Sequence, residues 1–137
     1  MSEKLNCILL VDDDEDCNFF HKKVITKRDC TEQIEVVHDG DEALQFLKTK
    51  VDGGFPNPAL IFLDINMPKV NGWEFLELYD RLDPSQKAQI VIVMLTTSLN
   101  VDDEVKARGN QYVKGFVKKY LTAESLDEVL KEHFPGV

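Results

Sequence analysis

Leu60-Ile61-Phe62-Leu63-Asp64-Ile65-Asn66-Met67-Pro68, with Gly72 following, is the stretch on which the fold turns. Its first four residues form an unbroken apolar run, as expected of a strand covered on both faces in a parallel sheet. The run stops at a carboxylate, and proline and glycine then shape a turn ahead of a helical pattern. In open α/β sheets ligands bind in the crevice outside the strands' carboxyl ends, which is where Asp64 would lie. Ile8-Leu9-Leu10-Val11 is a second run of this kind, and it also ends in acids, Asp12 and Asp13. Three carboxylates at neighbouring strand ends predict a hard-cation site with one nucleophilic oxygen.

Outward from these runs, strand and helix patterns alternate five times, which argues a parallel sheet with helices on both faces. Strands are expected at Leu5–Val11, at Ile34–His38, up to Asp64, at Ile90–Leu95 and near Gly115–Lys118. Ile34–His38 is half polar, as an edge strand allows. The first helix is expected over about Asp16–Lys27, with Cys17, Phe20 and Val24 inward. The second follows Asp39-Gly40-Asp41 and buries Ala43, Leu44 and Leu47; the third runs from Gly72 to Leu82 and buries Phe75, Leu76 and Tyr79. A fourth, near Val101–Gln111 with Asn100 as N-cap, has a thin apolar face of Val101, Val105 and Ala107. The last follows Thr122, with Leu126, Val129, Leu130 and Phe134 at helical spacing. Lys50–Pro58 is a glycine- and proline-rich loop. Right-handed crossovers make this order a doubly wound (βα)5 sandwich.

Composition narrows the function. The 137 residues suit one domain with a proper core, and residues 1–137 are expected to be that single domain with no second module. A net charge of −9 without a Lys/Arg-rich run argues against direct nucleic-acid binding. No apolar stretch is long enough for membrane insertion, and the N-terminus lacks a secretory pattern. Cys7, Cys17 and Cys30 lack metal-type spacing and read as free thiols, which points to a cytoplasmic protein.

The sheet edge is expected to collect Asp12, Asp13, Asp64, Thr96 and the Lys118-Lys119 pair. Each has a plainer reading. Asp12–Asp16 would suit a helix start, Asp64 a turn cap, Thr96 a strand end, and either lysine a solvated surface. Together, however, metal-binding acids, a carboxylate nucleophile, a hydroxyl and a cation fit phosphoryl transfer, where positioning and charge neutralisation dominate. Asn66 could add a backbone carbonyl to the metal. No histidine is expected as base: His21 and His133 are placed on helices away from this edge, and only His38 could approach. A carboxylate nucleophile is already ionised at neutral pH.

These motifs resemble those of response-regulator receiver domains of two-component signalling, over nearly the whole chain from Lys4 to about Phe134. The matching segments are Ile8–Asp13, Phe62–Pro68 with Gly72, Met94-Leu95-Thr96 and Gly115–Lys119. The resemblance is to stand-alone, chemotaxis-regulator-like members, and it implies a flavodoxin-like sheet of order 2-1-3-4-5. It implies that Asp64 is the phosphoacceptor and that Asp12, Asp13, Asp64 and the Asn66 carbonyl hold Mg²⁺. Thr96 would bond the phosphoryl group, Lys119 would pair with it, and Phe116 would be the aromatic switch residue. Lys119 rather than Lys118 fits the family register, and alternation puts only one of them toward the site. Tyr120 stands where the family carries proline.

The implied protein is a phosphorelay signalling component, not an enzyme in the ordinary sense, with self-phosphorylation from small donors and self-dephosphorylation open to it. Its donor would be a sensor histidine kinase or a histidine phosphotransfer protein, and its output would pass through an unidentified downstream protein target. A homodimer stays open. Two other readings remain: a receiver-like adaptor that works without phosphorylation, and a haloacid-dehalogenase-type phosphatase using Asp12. Against the second, Asp16 occupies the place of that family's Thr or Val.

Overall fold

Alternation along β1 (Leu5–Val11) divides the core in two. Ile8 and Leu10 face one side of the sheet and Leu9 and Val11 the other, because successive strand side chains point in opposite directions. The computed structural model describes residues 4–87, 90–97 and 100–137, and four further strands continue this pattern in it. They are β2 (Thr31–Val37), β3 (Leu60–Asp64), β4 (Val91–Thr96) and β5 (Val113–Lys118). All pair in parallel in the spatial order β2-β1-β3-β4-β5, so the doubly wound arrangement predicted from sequence is adopted.

Among the described residues the helices are α1 (Glu15–Arg28), α2 (Gly40–Lys48), α3 (Gly72–Asp80), α4 (Pro84–Lys87), α5 (Val101–Arg108) and α6 (Ala123–His133). Helices α2, α3 and α5 cover the Leu9/Val11 face, where Leu44, Leu47, Phe75, Tyr79 and Ala107 pack on Ile61, Leu63 and Met94. Helices α1 and α6 cover the other, bringing Ile25, Leu126, Val129 and Leu130 onto Phe62, Val93 and Leu95. Every residue of β3 is buried, as its continuous apolar run requires. At the edge, β2 is largely half-buried or exposed and begins three residues earlier than expected, because a strand paired on one side tolerates Thr31-Glu32-Gln33.

Helix α4 has no counterpart among the helices expected from sequence, and α3 and α5 end two and three residues before the expected Leu82 and Gln111. Two helices bury other faces than expected. On α1 the buried positions are Cys17, Asn18, His21 and Ile25, while Phe20 stays 46% exposed and Val24 is half-buried. Polar residues take the inner stripe because each finds a partner there. Asn18 Nδ2 donates to the Asp12 carbonyl at 2.9 Å, and His21 Nε2 accepts the Leu121 N–H at 3.1 Å. His21 therefore lies against the segment that follows β5, not away from the site edge. On α5 the expected face is turned outward: Val101 and Val105 are 71% and 65% exposed, and Ala107 alone is buried. Ser98, which the sequence places two residues beyond Thr96 beside the site, lies outside the described residues.

Candidate functional site

Four strand ends meet at the carboxyl edge of the sheet. Asp12 follows β1, Asp64 closes β3, Thr96 closes β4 and Lys119 follows β5. Asp12, Asp64 and Thr96 are buried, while Asp13 is exposed at the rim. One carboxylate oxygen from each of Asp12, Asp13 and Asp64 lies within 4.8 Å of the other two.

The start of α1 divides the acidic run. Asp14 is the N-cap: its Oδ1 accepts from the N–H groups of Asp16 at 2.9 Å and Cys17 at 3.2 Å. These bonds, that to Cys17 foremost, hold its carboxyl below the usual range. Glu15 and Asp16 occupy the first turn, where the helix dipole favours them. Asp12 and Asp13 are left for the crevice. Asp12 is fixed from three directions. Its Oδ1 accepts the Asp14 N–H at 3.0 Å, its carbonyl accepts from Asn18, and its Oδ2 pairs with Lys119 Nζ at 2.6 Å.

The loop after Asp64 is held by close backbone approach. Gly72 N–H donates to the Ile65 carbonyl at 2.8 Å, and a Cβ on Gly72 would come within 2.7 Å of the Asp64 carbonyl oxygen. Only glycine lets the start of α3 sit that close. Asn71 caps α3 through a reciprocal bond with Glu74. Asn66, two residues beyond Asp64, is exposed.

Burial, and next the charge of Asp12, push the Asp64 carboxyl up to about 6, against the pull of Lys119 Nζ at 3.4 Å. At pH 7 about nine-tenths of it is carboxylate. Burial disfavours the Lys119 charge, but its bond to Asp12 and the charges of Asp12 and Asp64 outweigh that and raise it. Lys119 N–H also donates to the Thr96 carbonyl at 2.7 Å, joining the ends of β4 and β5. The Lys119 side chain is 5% exposed, whereas Lys118 faces solvent. The Lys119–Tyr120 peptide is cis. Phe116 stands three residues before Lys119 on β5, half-buried against the α2/α3/α5 face.

Three carboxylates against one ammonium leave the cluster anionic, and its donors are all hard oxygens. That set fits Mg²⁺, which takes carboxylates and water in preference to nitrogen or sulfur. Sequence reasoning missed Asn18 and His21 as supports of the site, and nothing local to helix α1 signals them. Asp14, the N-cap, reads in sequence only as part of an acidic helix start.

Comparison with known proteins gives a consistent picture. The family model described as the response regulator receiver domain matches residues 8–131. The "Probable methanogenesis regulatory protein FilR2" of Methanothrix harundinacea is 33% identical over 132 residues, covering 94% of this chain and 83% of that protein. Response regulator Rcp1 of Synechocystis is 34% identical over 109 residues, 77% of this chain and 73% of its own length. Among solved structures, a two-component response regulator from Cytophaga hutchinsonii superposes with a TM-score of 0.81 at 30% identity, covering 95% of this chain and 97% of that one.

Proposed function

The chain belongs to the response-regulator receiver family of two-component signalling, and from that premise we propose that Asp64 accepts a phosphoryl group and so switches partner binding. The observation that carries this reading is the placement of Asp64: buried beside Asp12 and Asp13, with Lys119 Nζ 3.4 Å from its Oδ1. The Asp64 carboxylate attacks the phosphorus of a phosphohistidine on a histidine kinase or phosphotransfer protein. The P–N bond breaks as the O–P bond forms, and the imidazole leaves with the electron pair. Asp12, Asp13, Asp64 and the Asn66 carbonyl are the residues that would hold Mg²⁺. When bound, that ion supplies positive charge to the transferring oxygens.

Lys119, poised on Asp12, pairs with one phosphoryl oxygen, and the Thr96 hydroxyl donates to another. The Lys119–Thr96 backbone bond makes the two respond together. Movement of Thr96 opens room for Phe116, and α5 with β5 repacks into a new binding face. The slight anchoring of α5, in which Ala107 is the one buried residue, supports that step. We read residues 1–137 as one receiver domain acting through a protein target. Among the described residues no helix is long and apolar enough to cross a membrane.

The test is intact mass after treatment with acetyl phosphate and Mg²⁺, beside Asp64→Asn. One phosphoryl group added only with Mg²⁺, and absent from the variant, is expected. No addition would favour an adaptor that works unphosphorylated, and a label on Asp12 would favour the phosphatase reading.

A further inference from the structure

Helix α1 and the segment after β5 meet at one buried polar contact. Nε2 of His21, which is 1% exposed, accepts the backbone N–H of Leu121 at 3.1 Å across 100 positions of sequence. Leu121 is itself fully buried, so the amide would stay unpaired without that acceptor. An accepting Nε2 means a neutral ring with its proton on Nδ1. Burial, foremost, holds the imidazole below its ordinary range; Asp12 and Asp14 pull it up and Lys119 pushes it down.

Two residues before Leu121 stands Lys119. Its backbone N–H is on the Thr96 carbonyl at 2.7 Å and its ammonium is on Asp12 at 2.6 Å. The His21–Leu121 bond fixes the downstream end of the same short segment. Between them, the Tyr120 ring packs 6.0 Å from both His21 and Phe20. Helix α1 thus touches the site twice: Asn18 orients Asp12, and one turn later His21 holds the chain that carries Asp12's partner.

We propose that His21 is a positioning residue for Lys119, setting through the Leu121 amide where the ammonium stands between Asp12 and Asp64. Its effect on rate rests on the phosphoacceptor reading; its effect on Lys119 does not. Two variants separate the acceptor from the bulk. His21→Leu fills similar space without an acceptor, and His21→Gln returns an oxygen near the place of Nε2.

Two readouts are taken on the ¹⁵N-labelled full chain. One is the Lys119 ammonium resonance, visible only while the amine is held from exchange with water. The other is the rate of Mg²⁺-dependent phosphorylation by acetyl phosphate. In His21→Leu the resonance is expected to vanish and the rate at saturating acetyl phosphate to fall roughly tenfold to a hundredfold, with little change in the half-saturating concentration. His21→Gln is expected to recover both, even where its thermal midpoint is no higher than that of His21→Leu.

A leucine variant that keeps the resonance and the rate, or a glutamine variant as impaired as leucine, would overturn the proposal. If the wild-type protein takes no phosphoryl group, the phosphoacceptor reading fails, and the resonance alone decides the role of His21. Should His21→Leu not fold, His21→Asn replaces it, because the shorter amide stops short of the Leu121 N–H.

Discussion

Asp64 is a carboxylate kept ionised against its surroundings. Its native-state value of about 6 stands above the unfolded 3.8, so the folded protein holds this proton more tightly than the unfolded chain does. The stabilising contribution is therefore full below about pH 4 and is lost as pH rises through 6. At neutral pH the ionised side chain costs the fold on the order of 1–3 kcal/mol. Asp64→Asn without divalent cation should then be more stable than wild type at pH 7.5 by about that amount. The gain should shrink on acidification toward pH 4; equal urea midpoints for the two proteins at both pH values would refute the strained carboxylate. Asp12, Asp64 and Thr96 could be located from sequence because each stands where an apolar run stops, whereas the family register and strand alternation select Lys119 over Lys118. His21 and Asn18 could not be placed at the site. A polar residue turns inward on a helix when its partner is there, and those partners are a backbone amide 100 positions away and the carbonyl of Asp12.

At the level of elements, the approach of α3 to the end of β3 depends on Gly72. Gly72→Ala would drive a methyl into the Asp64 carbonyl and the Ile65 backbone. A loss of about 1–3 kcal/mol is expected from overpacking, together with slower phosphorylation, because the displaced backbone is that of Asp64 itself. Calorimetry and the acetyl phosphate assay check the two effects separately. Helix α5 is the opposite case. Held by Ala107, with Val101 and Val105 turned out, it should exchange its amides faster than α2, whose Ala43, Leu44 and Leu47 are buried. Native-state hydrogen exchange that finds the two equally protected would contradict the slight anchoring. Long apolar runs and the starts of the capped helices were legible in sequence almost to the residue, whereas α3 and α5 stop two and three residues short of their expected ends. The opening residues of β2 and β5 were not, since Thr31-Glu32-Gln33 and Val113-Lys114 look like loop until a neighbouring strand supplies their hydrogen bonds. The outward turn of α5 was equally hidden, because three small or β-branched residues fix no strong helical face.

The molecule as a whole carries −9, and the acidic cluster concentrates part of that charge beside the few groups that offset it. A divalent cation bound there and absent from the unfolded chain should stabilise the fold by mass action. At about a hundred times its dissociation constant, Mg²⁺ is expected to add roughly 2.7 kcal/mol. Thermal midpoints with Mg²⁺ and with chelator measure this, and Asp13→Asn should remove most of the difference. A midpoint indifferent to Mg²⁺ would leave the cluster without its ion. The residues of the site come from the ends of β1, β3, β4 and β5, so no short contiguous fragment contains it. During synthesis the chain leaves the ribosome from its N-terminus. Asp64 emerges well before Lys119, the cation paired with it among the described residues, which arrives only when β5 and the Leu121 segment have docked. On the phosphoacceptor reading, a half-made chain is thus unable to take up a phosphoryl group, and only molecules whose last strand is in place can carry a signal.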